Sequence, residues 1–268
     1  MKPEFSELSF AFAYMADLSK KLPGKFSTAP SFPSTVLEGK KGYGYDVKLG
    51  LVGIPVFLQF KLAHCMRSGN ATEFSTGTFS QGSPVNPVYR FYLMALGKSR
   101  QTSLMLKLEK KHDLVFYVAP AFHKVSELNS FFASSSVDTR SRSIRPSRIK
   151  KMPDKLEHFV SYRLSGQCHR FSEKPALVED GAEDLLIALQ SADAKEMSAS
   201  ALVESLLGIL SGTKGLPRGR LAEIAVTDRD PTITAQYLAR TFFGCELSFF
   251  RRERPNKSFK PTPRRGAA

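Results

Sequence analysis

The chain has 268 residues, 42% of them apolar and 24% charged. These proportions exclude collagen-like and low-complexity classes and leave room for a sizeable core in one large domain or two small ones. No run of about 18 apolar residues occurs, and the start MKPEFSELSF lacks the basic, apolar, small-residue order of a secretory leader, so the expectation is a cytoplasmic protein with no membrane partner.

The formal charge is +14, and it is concentrated in two short segments. Residues 251–268 hold seven basic side chains against one acid, and residues 138–151 hold Arg140, Arg142, Arg145, Arg148, Lys150 and Lys151 against Asp138 alone. Neither segment has an amphipathic apolar face, so nucleic acid is the expected polyanion, DNA first and RNA second. Three cysteines, Cys65, Cys168 and Cys245, lie far apart without a CxxC spacing, which points to reduced, buried thiols. His64-Cys65 and Cys168-His169 could form a zinc site only if the fold brought them together.

In chain order, a first helix is predicted over 3–21, where Leu8, Phe12, Met15, Ala16 and Leu18 recur at helical spacing and Glu4 and Glu7 occupy the first turn. After STAPSFPST come two alternating segments, GYGYDVKLGL and IPVFLQFKL, joined at Val52-Gly53, which reads as a hairpin. Residues 63–88 read as a long loop, 99–111 as a helix, LVFYV at 114–118 as a strand and 125–132 as a short helical patch. The basic stretch follows, broken at Pro146, and then a strand over 158–164. Three helical patterns, GAEDLLIALQ, SASALVESLLGIL and ITAQYLARTFF, dominate the remainder. The expected organisation is an α/β domain over 1–175, a helical region over 176–250 and a disordered basic tail over 251–268.

The hairpin carries the most chemistry. Tyr43, Tyr45, Val47, Leu49 and Leu51 share one face of its first strand, and Val56, Leu58, Phe60 and Leu62 share one face of its second. A two-residue turn then pairs Asp46 with Gln59 and Gly44 with Lys61 on the opposite, polar face. A carboxylate and an amide carbonyl are oxygen ligands of the kind Mg²⁺ takes, and a nearby ammonium can orient water or neutralise a phosphate.

This pattern, Asp46, twelve intervening residues and then Gln59-Phe60-Lys61, resembles the PD-(D/E)XK nuclease superfamily, in the branch where glutamine replaces the second acid, as in some restriction endonucleases that act on modified DNA. The resemblance spans about residues 1–120 and implies a restriction-endonuclease-like mixed sheet flanked by helices, here followed by a helical C-terminal region. It further implies Mg²⁺ or Mn²⁺ held by Asp46 and Gln59, Lys61 acting on the water, and a glutamate of the first helix completing the metal shell. Glu7 is the first choice for that glutamate, with Glu4 and Glu38 as the others. Arg140, Arg142, Arg145, Arg148, Lys150 and Lys151 would grip phosphates. The function so implied is metal-dependent cleavage of DNA, in defence or DNA processing. The alternatives are a non-catalytic nucleic-acid-binding protein on the same fold and an interaction protein whose helical last third recruits partners.

Overall fold

The computed structural model describes residues 1–27, 52–80, 87–95, 99–150, 158–172, 174–178, 185–191, 193–213 and 230–251. Helix α1 (Glu7–Lys21) precedes β1 (Val52–Phe60), β2 (His64–Met66), α2 (Thr72–Ser75), β3 (Val88–Leu93), α3 (Gln101–Glu109) and β4 (Leu114–Pro120). Then come α4 (Val125–Ala133), β5 (Ser141–Ile144), α5 (Pro146–Ile149), β6 (His158–Tyr162), β7 (Cys168–Phe171) and β8 (Ala176–Val178). The last elements are α6 (Leu185–Ser191), β9 (Met197–Ser198), α7 (Ala199–Ser211), α8 (Pro231–Leu238), a π-helical turn (Ala239–Phe243) and β10 (Glu246–Phe250). The fold is mixed α/β, with helices towards the C-terminus as the sequence implies.

Two sheets form. The first runs β10-β1-β4-β5, with β9 pairing the start of β1; β1 and β4 are parallel and the other pairs antiparallel. The second is antiparallel in the order β2-β3-β6-β7-β8. Strand β1 is buried on both faces, and its alternation sorts the core. Ile54, Val56, Leu58 and Phe60, with Leu114, Phe116 and Val118 of β4, pack against α1, α4 and α6. Phe57, with Val115 and Tyr117 of β4 and Leu247 and Phe249 of β10, packs against α3, α7, α8 and the inner face of the second sheet. That cluster draws residues from both sides of the expected boundary near 175.

The predicted hairpin is corrected. Its first strand, with Asp46, lies outside the described residues, but Val56–Leu58 carries β10 along one edge and β4 along the other. A strand has only two edges, so no third strand can pair there. The face expected to be polar is covered: Phe57 is fully buried and Gln59 is 2% exposed.

Helix α1 starts at Glu7, later than predicted, because the Ser6 hydroxyl caps it by accepting from the Ser9 N–H at 3.0 Å. Its buried stripe is Phe10, Tyr14 and Leu18 with Ala11 and Met15, whereas Leu8 and Phe12 stay 57% and 56% exposed. The expected loop over 63–88 contains β2 and α2, and Pro146 begins α5 at its first position, where a missing N–H costs nothing. The basic tail lies outside the described residues, apart from Arg251. Among the described residues no helix is long and apolar enough to cross a membrane.

His112 ties α7 to the core. It is buried, 5.3 Å from the Phe57 ring, with Nε2 3.1 Å from the Ser205 hydroxyl. Burial pushes its pKa down to about 4. An unfolded imidazole takes a proton below about pH 6.5 while the folded one resists until about 4, so stability falls as pH drops through that window. We expect this residue to account for up to about 3 kcal/mol of that loss. Thermal denaturation at pH 7 and 4.5 should show a smaller pH effect in His112→Gln; an identical pH effect in the variant would refute the assignment.

Candidate active site at the end of β1

Polar side chains from five elements converge where β1 ends. Lys61 is the residue after the strand, and its N–H continues the parallel pairing by donating to the Val118 carbonyl at 2.9 Å. Its Nζ donates to Oε1 of Gln101, the first residue of α3, at 3.5 Å. Gln101 Nε2 and Gln59 Nε2 both donate to the Phe243 carbonyl, at 3.5 and 3.4 Å. A carbonyl can only accept, so it fixes the orientation of the Gln59 amide and leaves Gln59 Oε1 buried without a partner.

The π turn places that carbonyl. It closes at Gly244, whose φ of +66° is left-handed, and the chain reverses into β10 with Glu246 opposite Leu58. The absent side chain matters as much as the φ. A Cβ at Gly244 would sit 2.0 Å from Gln101 Nε2 and 2.8 Å from Gln59 Nε2. Cys245 is buried with its thiol 3.2 Å from the Met105 sulfur, and burial pushes its pKa far up, so it is an inert packing group.

The electrostatics are those of charges set partly out of water. Glu7, in the first turn of α1, is reached by solvent, yet the protein around its carboxylate raises its pKa. Lys61 opposes that rise and Glu246 adds to it. Lys61 is pushed down by burial, against the attraction of Glu7. Glu246 is also raised by burial, opposed by Arg240, whose Nε donates to Glu246 Oε1 at 3.1 Å. Burial therefore moves the acids and the lysine of this site towards their neutral forms, and their mutual attraction restrains the shift.

Of the residues singled out in the sequence, the structure puts Gln59 and Lys61 at the same end of β1 and Glu7 within electrostatic reach of Lys61. Glu4 is corrected: its carboxylate accepts from the Val125 N–H at 3.0 Å and so caps α4. Asp46 and Glu38 lie outside the described residues. Gln101, Glu246 and the Phe243 carbonyl went unread as site groups because their elements are remote in sequence; the glycine after an aromatic pair, TFFGCE, was the one available signal. The zinc pairing is corrected as well. Cys65, Tyr89, Tyr162 and Cys168 form one register row, which puts three strand spacings, roughly 14 Å, between the cysteines.

The basic segment is partly used up in holding the fold. Arg142 donates to the carbonyls of Leu164 and Gly166 at 2.9 and 2.7 Å, and its Nε is buried. Arg145 donates to the Asp113 carbonyl and lies 4.7 Å from the Phe116 ring centroid. These two are corrected from phosphate grips to ties between loops and sheet. Arg140 is exposed, 5.3 Å from the Phe131 ring, while Arg148 is half-buried, Lys150 exposed and Lys151 outside the described residues.

Two outcomes follow from this geometry. Gly244→Ala should lose at least about 1–2 kcal/mol from the left-handed φ alone, and Gln101→Ala, by removing the nearer clash, should recover part of any further loss. Melting temperatures of the two single variants and the double variant measure this; full additivity would refute the clash. Arg142→Ala should lower the melting temperature and Arg140→Ala should leave it unchanged; were DNA held by this segment, only Arg140→Ala would flatten the log–log salt slope of its binding, by up to about 0.9.

Comparison with protein-family models, with curated proteins and with solved structures gave no match, so the chemistry of this site rests on its own residues.

Proposed function

We propose that this chain is a metal-dependent nuclease that cleaves phosphodiester bonds of DNA in the cytoplasm, with its active site at the end of β1. The observation that carries the reading is the setting of Lys61. Its ammonium is withdrawn from bulk water, held by Gln101 and placed near the Glu7 carboxylate, with the unpartnered Gln59 oxygen two residues earlier in the chain. A cation in such a place meets a phosphate with little competition from water. The raised Glu7 and lowered Lys61 also bring an acid and a base closer in proton affinity.

The residues fit a divalent cation in part. Gln59 Oε1 is a buried acceptor with nothing to accept, and the charged form of Glu7 is disfavoured chiefly by burial and to a lesser degree by Glu246. Among the described residues no three acidic, histidine or cysteine side chains cluster to hold a metal by themselves. Glu7, Gln59 and Asp46 are therefore the residues that would hold Mg²⁺ or Mn²⁺, Asp46 being supplied by the sequence pattern. When bound, the ion would lower the pKa of water and neutralise charge on the phosphate. Lys61 would orient the water or steady the phosphate oxygen, and Gln101 would keep Lys61 in position.

Two measurements test this. Incubated with plasmid DNA and Mg²⁺ or Mn²⁺, the wild type should cleave, and Lys61→Met and Glu7→Gln should each lose on the order of 10²-fold or more. Cleavage at the wild-type rate by either variant would remove that residue from the site. Gln59→Glu separates the readings further. Without metal it sets a carboxylate oxygen against the Phe243 carbonyl and should melt lower; millimolar Mg²⁺ should restore stability, since a ligand of the native state raises the midpoint. DNA binding with neither cleavage nor any lift by Mg²⁺ would instead favour the non-catalytic nucleic-acid-binding reading.

A further inference from the structure

The second sheet has one face in the shared core, while α2 and Phe79 cover the middle of its other face and leave Tyr92, near the end of β3, exposed. Tyr89, Phe91, Val160, Tyr162 and Cys168 point inward, so the alternate residues His64, Arg90, Tyr92, Phe159, Ser161 and His169 lie on the outer face. The centre of that face is braced. The fully buried Glu73 of α2 accepts from Arg90 Nε at 2.7 Å and from the Ser161 hydroxyl at 2.6 Å. Arg90 Nη1 in turn donates to the Tyr92 hydroxyl at 3.2 Å, and its guanidinium lies 4.0 Å from the Phe159 ring centroid. Phe159 is backed by Phe171, stacked at 4.8 Å and 11°.

Tyr92 is 43% exposed on this support, edge-on to Phe159 at 6.0 Å and to His64 at 5.4 Å. No acidic residue occupies an outward position on the described strands of this sheet, and the buried Glu73 of α2, which lies over this face, is matched by Arg90, whose Nη2 also donates to Glu73 Oε2 at 2.5 Å. Lys2 is exposed and follows Met1, whose carbonyl accepts from the Cys65 N–H of β2 at 2.9 Å, and Arg90 is the cross-strand partner of His64. Fixed aromatic rings set among cations complement bases and phosphates together, and only an unpaired strand offers its base faces. The site is close: His64 follows Lys61 by three residues, so their Cα atoms are at most about 11 Å apart.

We propose that the Tyr92 end of this outer face binds a single-stranded segment of nucleic acid, one base stacking on Tyr92, with its backbone running towards Lys61. The delivery of that backbone to Lys61 rests on the nuclease reading; the stacking does not. The test is fluorescence anisotropy with a labelled oligonucleotide of about a dozen nucleotides, single-stranded or annealed, in EDTA so that nothing is cleaved. Wild type and Lys61→Met should both prefer the single strand. Tyr92→Ala should weaken that binding roughly 5- to 100-fold, and Tyr92→Phe, which keeps the ring, should restore it. Unchanged single-strand affinity in Tyr92→Ala, or equal preference for duplex, would overturn the proposal. A change in self-association on sedimentation without any change in affinity would also overturn it, and would give the face to a protein contact. Tyr92-dependent binding without Mg²⁺-dependent cleavage would uphold the platform and sink the nuclease reading; cleavage indifferent to Tyr92 would do the reverse.

Discussion

Strand β1 is enclosed on four sides, and the arrangement of everything else follows from that enclosure. Its edges are taken by β10 and β4, one face by α1 and the other by α3 with the C-terminal helices. Each fully buried side chain of this strand is worth about 1.5–3 kcal/mol relative to exposure, and shifting the register by one residue would exchange the two faces. A strand fixed so firmly delivers the groups at its end, Gln59 and Lys61, to a defined place. The lysine can sit in a partly dehydrated recess because the surrounding backbone is not free to relax and let water in.

The second constraint is local and lies at the other end of the chain. The π turn and Gly244 let the Phe243 carbonyl reach both glutamines at once, and the same reversal sends β10 back along β1. A single glycine thus joins sheet assembly to site assembly. The cost is a buried oxygen on Gln59 with no partner, a polar group left under tension by the packing around it. Stability and the proposed chemistry pull in opposite directions at that atom, a usual condition of functional sites.

Positive charge is divided between two duties. Arg142 and Arg145 spend their donors on carbonyls of neighbouring loops, where a cation offsets exposed backbone oxygens and fastens β5, the edge strand of the first sheet, to what surrounds it. Arg90 does the same for the second sheet through Glu73. Charge density along the sequence is therefore a poor guide to charge available at the surface. The guanidinium groups of Arg90 and Arg145 lie over the rings of Phe159 and Phe116 while their N–H groups bind locally.

The sequence by itself determined the elements that short-range periodicity specifies. The helix ending at Lys21, the buried strand from Leu114, the helices at 101–109, 125–133 and 199–211, and the division of Ile54–Phe60 into two faces are all legible as spacing. It also singled out Glu7, Gln59 and Lys61, since the pattern of an amide and a lysine on alternate residues is visible without a fold. What it left open is which surfaces meet. Alternation states that a strand has two faces and is silent on what covers them, so a strand buried on both sides was read as one with a polar face. Pairing of β1 with β10, almost two hundred residues away, leaves no local trace, because antiparallel hydrogen bonds are made by backbone that every residue shares. For the same reason Gln101, Glu246 and the Phe243 carbonyl became members of one site only when the chain closed on itself.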